Sequence, residues 1–342
     1  MKEINILFTC AGRRNYLINY FKEALKGEGN VIAVDEQMIA PAMYDADIAI
    51  KVPSIYAANY IEELLKIVTA HSISAVISLN DLELPILSKC KELFKNQGAQ
   101  VIISNSDIID TCFDKWKTYN FIKELGLNTP KSYIKLDEAI EDIEKGELEF
   151  PIVLKPRWGS GSIGLDFPET IEELKLSYLR QKLVLQKSQL NRINKVDPIF
   201  DIIIQEKVTG NEFGIDVIND FNGNYFGTFS KQKLAMRSGE TDKAKSIIDK
   251  QFEKLGKEIS KNLKHIGIVD CDVFVVDNQL YLLEINPRFG GGYPFTHEAG
   301  LNLAAIYIAW LKGDGNESLL KYNNYKENLI FSKCDRLMQM GN

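Results

Sequence analysis

The residues best suited to chemistry lie in Tyr281–Arg288, which reads YLLEINPR. Side chains alternate between the two faces of a strand, so Glu284 and Asn286 share one face as neighbouring oxygen donors. Asp270 and Asp272 alternate in the same way one strand earlier, across a predicted hairpin. Hard oxygen ligands suit Mg²⁺ shared with phosphates, and Asp272, Glu284 and Asn286 are the predicted set. Acidic residues on strands often only face solvent, and that alternative stays open for any single pair.

A second candidate is a lysine that precedes a glycine-rich loop. The segment Pro151–Gly164 reads PIVLKPRWGSGSIG, in which an apolar strand delivers Lys155 and three glycines and two serines follow. Glycine allows backbone amides to approach phosphate oxygens closely. Because the lysine comes before the loop, this is not a Walker A motif. We predict phosphates held between a fixed cation and a closing loop, with an ordinary flexible loop as the alternative.

A third candidate is the end of a strand in Ile202–Asp216, which reads IIIQEKVTGNEFGID. The strand ends near Glu206, so the backbone groups of Lys207 and Val208 can pair with an adenine edge. The carboxylate of Glu212 can accept hydrogen bonds from ribose hydroxyls. A surface hairpin with ordinary charges is the alternative.

A basic segment, Lys231–Thr241, reads KQKLAMRSGET. Arg237 together with Lys231 or Lys233 forms a predicted positive patch. Guanidinium and ammonium groups suit recognition of phosphate or carboxylate, so Arg237 is a candidate catalytic residue. A solvated run of charges is an equally good interpretation of this segment.

Two different patterns of strands and helices must position these residues. The first third alternates strands at residues 4–9, 31–34, 75–79 and 101–104 with helices near residues 17–25, 60–68 and 82–95. Short connections between alternating elements predict a parallel sheet with helices on both faces. The last third carries strands near residues 201–208, 212–219, 225–231, 269–276 and 280–285, and a helix at residues 243–264. Hairpin spacing around Asp277-Asn278 predicts an antiparallel sheet there.

Composition narrows the class of protein. The 342 residues exceed one typical core and predict two or three packed subdomains. A net charge of −6 argues against nucleic acid as the main partner. Five cysteines without a CxxC spacing suit a reducing cytoplasm and argue against a structural zinc site. The sequence contains neither an apolar run long enough to span a membrane nor a signal-peptide pattern, so we expect a cytoplasmic protein without a membrane partner.

Taken in order, these segments resemble the ATP-grasp superfamily. Within it they resemble stand-alone relatives of the carbamoyl-phosphate synthetase large subunit. The likeness begins with ILFTCAGRR and VIAVDEQMIAPAMYDAD, continues through DKWKTYNFIKELGLNTP and FPIVLKPRWGSGSIG, and closes with LYLLEINPRFGGGYP. It implies a mixed α/β fold. Its parts are a parallel α/β pre-ATP-grasp domain at residues 1–113, a lid subdomain at 114–208 and an antiparallel-sheet subdomain carrying the metal site at 209–342.

The resemblance also implies individual roles. The residues that would bind the nucleotide are Lys115, Lys155, Gly159, Ser160, Gly161, Ser162, Glu206, Lys207, Val208 and Glu212. The residues that would bind magnesium are Asp272, Glu284 and Asn286. Arg288 matches the arginine that steadies an acyl phosphate or the γ-phosphate. The implied cofactors are ATP and Mg²⁺, with Mn²⁺ as an alternative metal.

The expected activity is an ATP-dependent ligase that joins a small carboxylate to an amine or thiol through an acyl phosphate. A phosphotransferase acting on a hydroxyl and a non-catalytic ATP-binding regulatory subunit are the alternatives. The sequence shows no glutaminase domain, no biotin-carrier segment and no GxGxxG spacing, which disfavours carbamoyl-phosphate synthesis, biotin carboxylation and a dinucleotide-dependent oxidoreductase. A homodimer is common in this architecture. Loose candidates for substrate contact are Arg13, Arg14, Asp81, Glu83 and His297.

Overall fold

The computed structural model describes residues 3–159, 164–188, 197 and 199–340. These residues form three β-sheets and the helices that pack on them. A parallel sheet in the first third and an antiparallel sheet in the last third confirm the predicted mixed α/β class. A smaller antiparallel sheet lies between them in the sequence.

The first sheet is parallel and buried on both faces. Its strands are β1 (Asn5–Thr9), β2 (Val31–Asp35), β3 (Ile48–Lys51), β4 (Ile73–Ser78) and β5 (Gln100–Val101), in the spatial order β3-β2-β1-β4-β5. Its helices are α1 (Asn15–Leu25), α2 (Pro41–Asp45), α3 (Tyr60–Ala70), α4 (Leu84–Asn96) and α5 (Ser106–Phe113). Because helices cover both faces, the strands are nearly continuous apolar runs. Ile6 and Phe8 belong to one core, and Leu7 and Val76 belong to the other.

Glu83 fixes the carboxyl ends of β1 and β4, where the connections to the next strands leave in opposite directions. This carboxyl is fully buried and accepts hydrogen bonds from Thr9 (2.7 Å), Ser78 (2.6 Å) and Tyr60 (2.5 Å). Burial raises the pKa of Glu83, against the opposing effect of these hydroxyl donors. Open α/β sheets commonly bind ligands at such a switch point, and the loop after β4 carries Asp81 into the site described below.

The second sheet has the order β6-β8-β7 and is antiparallel. Its elements are α6 (Lys115–Glu124), β6 (Ser132–Tyr133), α7 (Leu136–Glu144), β7 (Ile152–Pro156), α8 (Ile171–Lys187) and β8 (Ile202–Glu206). Asp114 caps α6 by accepting from the backbone N–H of Trp116 at 3.0 Å. The same carboxylate takes two hydrogen bonds of 2.7 Å from Arg157, which ties the end of β7 to the start of α6.

The third sheet has the order β13-β12-β9-β10-β11-β14. Its strands are β9 (Asn211–Asn219), β10 (Tyr225–Arg237), β11 (Glu240–Ile247), β12 (Gly267–Val276), β13 (Gln279–Asn286) and β14 (Ile330–Ser332). The helices here are α9 (Lys250–Leu263), α10 (Tyr293–Glu298), α11 (Leu303–Leu311) and a 3-10 helix at Asn316–Tyr322. Asp277 and Asn278 both have positive φ, at 48° and 62°, as the turn of the predicted hairpin requires.

The predicted helix at residues 243–264 is wrong in its first part. Residues 240–247 are strand β11, and α9 begins only at Lys250. Ala244 is fully buried, while its sequence neighbours Lys243 and Lys245 are more exposed. This alternation of period two marks a strand. The hairpin with β10, turned by Ser238 and Gly239 at positive φ, draws this segment into the sheet.

One hydrophobic core joins the first and last parts of the chain. Phe289, Tyr293 and Tyr307 pack into the same cluster as Phe8 and Phe21 of the parallel sheet and α1. The last third therefore closes over a face of the first sheet, while the exact boundaries 1–113, 114–208 and 209–342 stay a prediction. Within the described ranges, no helix has both the length and the apolar character needed to cross a membrane.

Replacing Glu83 should test how strongly it holds the switch point. Glu83→Ala leaves three buried hydroxyls without their acceptor, so we expect a loss of about 2–4 kcal/mol in the free energy of unfolding. Glu83→Gln keeps an acceptor oxygen and should lose less. Urea denaturation measures both, and equal losses for the two variants would contradict this account.

Candidate active site

A cleft of about 720 Å³ lies among the strands of the second and third sheets. The predicted site residues that line it are Lys115, Lys155, Gly159, Glu206, Lys207, Val208, Glu212, Asp272, Glu284, Asn286 and Arg288. Three further predicted residues, Ser160, Gly161 and Ser162, lie outside the described part of the chain.

Glu284 is the centre of the cleft's charge pattern. Lys155, on β7, donates to Oε1 of Glu284 at 2.9 Å. Lys115, the first residue of α6, places its Nζ 4.0 Å from the same oxygen and donates to the backbone carbonyl of Gly159. One carboxylate on β13 therefore faces two ammonium groups from the second sheet and its linker helix.

These neighbours decide the protonation of Glu284. Burial alone raises its pKa, but the ammonium groups of Lys155 and Lys115 outweigh that effect and lower the pKa to about 2. Burial lowers the pKa of Lys115, and the charge of Glu284 opposes that shift. At neutral pH, Glu284 is therefore ionised and available to bind a cation.

A second charge cluster stands beside the first. Asp272 on β12 lies directly opposite Glu284 in the strand register. Lys233 on β10 bridges Asp272 at 2.5 Å and Glu212 on β9 at 2.7 Å. Burial raises the pKa of Asp272, and the charge of Lys233 opposes this. Burial lowers the pKa of Lys233, but Asp272 and Glu212 outweigh it and raise the pKa overall.

The donor set on these strands fits a hard divalent cation. Asp272, Glu284 and Asn286 supply two carboxylates and an amide oxygen along two paired strands. Among the described residues, no three His, Cys, Asp or Glu side chains form a metal-binding group, so an amide or phosphate oxygen would have to complete such a site. The carboxylates already pair with lysines. When Mg²⁺ and a phosphate bind together, the cation would pair with the carboxylates and the phosphate with the lysines, so the net charge of the site would stay balanced.

The strand end predicted to read adenine borders the same cleft. Lys207 and Val208 follow β8 and line the opening together with Phe274. The side chain of Glu206 has a structural task, because its carboxylate accepts from the backbone N–H of Lys131 at 3.0 Å. The Glu206 carboxylate is therefore occupied, and a ligand at this edge would meet the main chain of Lys207 and Val208 instead.

The two predicted catalytic arginines lie in different places. Arg288 lines the cleft with a side chain that is only 8% exposed and pairs with Asp81 at 2.6 Å. Arg237 is 49% exposed, lies outside the cleft lining, and pairs with Asp242 at 3.0 Å and Asp335 at 2.6 Å. The positive patch at this hairpin thus belongs to its lysines, while Arg237 has a surface position.

The lysines on one face of β10 have a larger part in the site than the sequence predicted. Lys231 and Lys233 alternate onto one face, a period-two signal visible in the sequence. Lys231 is 1% exposed and donates to Asp216 at 2.8 Å, and Thr296 donates to the same oxygen at 2.5 Å. No sequence signal identified Asp216 or Thr296, because their pairing depends on tertiary contact between β9 and α10.

Sequence comparison identifies curated relatives of this chain. The carbamoyl phosphate synthase large chain of Campylobacter jejuni is 26% identical over 245 residues, which are 67% of this chain and 21% of that protein. The carbamoyl-phosphate synthase of Methanobrevibacter smithii is 27% identical over 259 residues, covering 69% of this chain and 63% of its own length. The chain thus spans only about a fifth of the large chain it matches.

Solved structures share the fold at low sequence identity. The biotin carboxylase of Campylobacter jejuni, in complex with β-γ-ATP, superposes with a TM-score of 0.72 at 15% identity over 96% of this chain and 75% of that chain. The L-amino acid ligase of Bacillus licheniformis superposes with a TM-score of 0.69 at 19% identity over 93% and 77%.

Family models account for most of the chain. Residues 6–102 match a model described as PylC-like, N-terminal domain, and residues 112–292 match the ATP-grasp domain. The second match covers more than half of the 342 residues and confirms the resemblance carried by the sequence motifs. The chain therefore belongs to the ATP-grasp family.

Proposed function

We propose that this protein is an ATP-dependent carboxylate–amine ligase that releases ADP and phosphate. The observation that carries the proposal is the charge pattern at Glu284. Lys155 and Lys115 converge on this carboxylate, and Asp272 lies opposite it with Lys233 bound. Alternating cations and oxygen ligands in one cleft suit a triphosphate and its metal.

In the proposed reaction, an oxygen of the substrate carboxylate attacks the γ-phosphorus of ATP. The bond from that phosphorus to the β–γ bridging oxygen breaks, and ADP leaves with its electron pair. The amine then attacks the acyl carbon of the acyl phosphate, the carbon–oxygen bond breaks and phosphate leaves. The amine loses its proton to water. No side-chain nucleophile is required, so the protein acts mainly by charge and position.

The chain's own residues have distinct tasks in this scheme. Lys155 and Lys115 would bind phosphate oxygens once Glu284 takes a cation in their place. Asp272, Glu284 and Asn286 would hold Mg²⁺, which supplies neutralisation of phosphate charge. Arg288 stays charged, because Asp81 outweighs the effect of burial and raises its pKa, and it would face the transferred phosphoryl group.

The rest of the cleft suits a nucleoside. Val153, Phe274 and Leu283 supply apolar surface near the backbone of Lys207 and Val208. An adenine could stack against this surface while the backbone groups pair with its edge. The Glu212 carboxylate, held by Lys233, would lie within the ribose region of such a nucleotide.

Product analysis tests the proposal. A panel of acids and amines with Mg²⁺ and ATP should release ADP and phosphate in equal amounts, and hydroxylamine should trap the acyl phosphate as a hydroxamate. A stable phosphoester would instead identify a phosphotransferase acting on a hydroxyl. ATP binding without ADP across the panel would identify a regulatory subunit. A thioester from a thiol would change the acceptor but keep the acyl phosphate.

The role of Lys155 should appear in nucleotide affinity. Lys155→Met removes one charged hydrogen bond to phosphate, so we expect the Kd of a non-hydrolysable ATP analogue to rise about 10- to 100-fold. Isothermal titration calorimetry measures the change. Lys175→Met, at an exposed position of α8, is the matched control and should leave the Kd unaltered. An unaltered Kd in Lys155→Met would remove this lysine from the site.

The role of Glu284 should appear in metal dependence. Glu284→Gln removes a metal charge partner, so turnover should fall by about 10²–10³. Binding of the ATP analogue should also lose most of its dependence on Mg²⁺, because the anion that repels metal-free ATP is gone. Glu138→Gln, at an exposed position, is the control. Analogue binding that still tightened with Mg²⁺ as in the unaltered protein would refute the metal assignment.

A further inference from the structure

The end of the cleft beyond Asn286 contains charged residues to which the proposed nucleotide site gives no role, namely Arg14, Asp270 and Glu240. Three consecutive glycines, Gly290, Gly291 and Gly292, lie at this end, the last two in the cleft wall, and none has a positive φ. A β-carbon on each would lie 2.1 Å from Asp270 Oδ2, 3.0 Å from Glu240 Cδ and 2.6 Å from Lys231 Cε, respectively. These glycines are therefore needed because they leave space for neighbouring charged side chains, and not because the backbone requires an unusual conformation.

Two guanidinium groups meet on the positive side of this chamber. Arg14, from the loop after β1, and Arg288 both donate to the backbone carbonyl of Phe289 at 3.1 Å. Arg288 is also paired with Asp81, yet its Nε has no hydrogen-bond partner within the described part of the chain although the side chain is nine-tenths buried. A buried donor without an acceptor is costly, so this group is suited to an anionic ligand.

The charge of Arg14 is only weakly balanced. Its nearest carboxylate, Glu240, lies 3.9 Å away and has a 52% exposed side chain. Glu240 is also shared with Lys333 at 3.2 Å. An anion placed between Arg14 and Arg288 would therefore gain two partners without breaking a tight internal ion pair.

Asp270 supplies the opposite charge. Its carboxylate lines the cleft and takes no hydrogen bond or ion pair at contact distance among the described residues. The nearby Lys231 instead donates to Asp216 and Thr296. Asp270 lies opposite Asn286 in the strand register, so it borders both the predicted metal site and the glycine wall. Together with Glu240, it gives the chamber a carboxylate side.

We propose that this chamber binds an α-amino acid as the acid substrate, with its carboxylate between Arg14 and Arg288 and its ammonium group facing Asp270 and Glu240. The proposal rests on the ligase function proposed above and names its substrate class. A simple carboxylic acid would satisfy the guanidinium groups but leave Asp270 buried beside apolar ligand atoms, which is unfavourable for a charge. An amino acid meets both signs at once.

The arrangement also orients the reaction. Arg288 follows Asn286 by two positions, and Glu284 lines the same cleft, so a carboxylate held by the guanidinium pair would face the phosphoryl end of the proposed nucleotide site. The ammonium group on the far side stays bound to carboxylates and charged, which keeps it from acting as the nucleophile. Arg14 belongs to the first sheet's loops, so this site requires the pre-ATP-grasp domain.

Ligand-induced stabilisation is the first test. The holoprotein with Mg²⁺ and a non-hydrolysable ATP analogue is heated with each of the twenty common α-amino acids, and with the acid that lacks the amino group in each case. We expect at least one amino acid to raise the Tm and its des-amino partner to raise it far less. Equal shifts for the two acids, or no shift with any amino acid, would overturn the inference.

Variants then assign the two charges, using the stabilising amino acid. Arg14→Gln should raise its KM about 10- to 100-fold and leave the KM for ATP unaltered. Glu240→Gln should reduce the preference for the amino acid over its des-amino partner. Arg180→Gln and Glu92→Gln, both at exposed positions, are the controls, and the Tm of each ligand-free variant verifies folding. Unaltered constants in Arg14→Gln would refute its role.

Two further readouts separate this inference from the ligase proposal. Asp270→Asn should weaken amino-acid binding and leave the half-saturating Mg²⁺ concentration unaltered. If the variant only needed more Mg²⁺, Asp270 would be a metal ligand and its assignment to the amino acid would be overturned. Amino-acid binding without ADP release would support the chamber while refuting the ligase. If des-amino acids supported ADP release at the same rate as amino acids, the ligase proposal would be supported and the amino-acid chamber refuted.

Discussion

The attraction between Glu284 and the two lysines facing it is the interaction on which the site depends. It connects β13 of the third sheet with β7 of the second and with the first turn of α6. It stabilises a cleft that would otherwise contain three unpaired, partly buried charges, whose side chains are 12–24% exposed. With ligand, the same groups can exchange partners, since phosphates can replace the carboxylate for Lys155 and a cation can replace the lysines for Glu284. The cleft is therefore preorganised by the charges that the proposed reaction needs.

Other charged residues along the cleft are also paired with each other. Lys233 neutralises Asp272 and Glu212, while Lys231 is committed to Asp216 and Thr296 deeper in the fold. Apart from Thr296, which lies on α10, these residues come from β9, β10 and β12, three consecutive strands of one sheet, so their spacing is set by the backbone ladder rather than by flexible loops. Asp270 departs from this pattern, because no described residue pairs closely with its carboxylate, and this distinguishes the chamber beyond Asn286 from the proposed nucleotide region.

The parts of the fold that sequence reasoning predicted correctly have strong local signals. Apolar runs and short connections identified the parallel sheet, and Asp277-Asn278 identified the hairpin that brings Asp272 opposite Glu284. The predicted helix at residues 243–264 was wrong at its start because Lys243–Ile247 contains few apolar residues, and because one of its two strand partners, β14, is distant in the sequence. Arg237 shows the same limit within the site, since its neighbours Asp242 and Asp335 come from a strand and from the distant C-terminal segment.

By itself, the sequence predicted the kind of chemistry, with oxygen ligands at Glu284 and Asn286, a lysine before a glycine-rich loop, and an arginine at Arg288. The oxygen ligands and the lysine follow from residue type and from period-two alternation, which are local properties, whereas the role of Arg288 follows from the family resemblance. Only the tertiary structure decided which charges meet. Arg14 and Arg288 are 274 positions apart in the sequence yet donate to one carbonyl, and Gly290–Gly292 lie against charges from three strands. Such contacts depend on how separate sheets pack, and no local pattern encodes them.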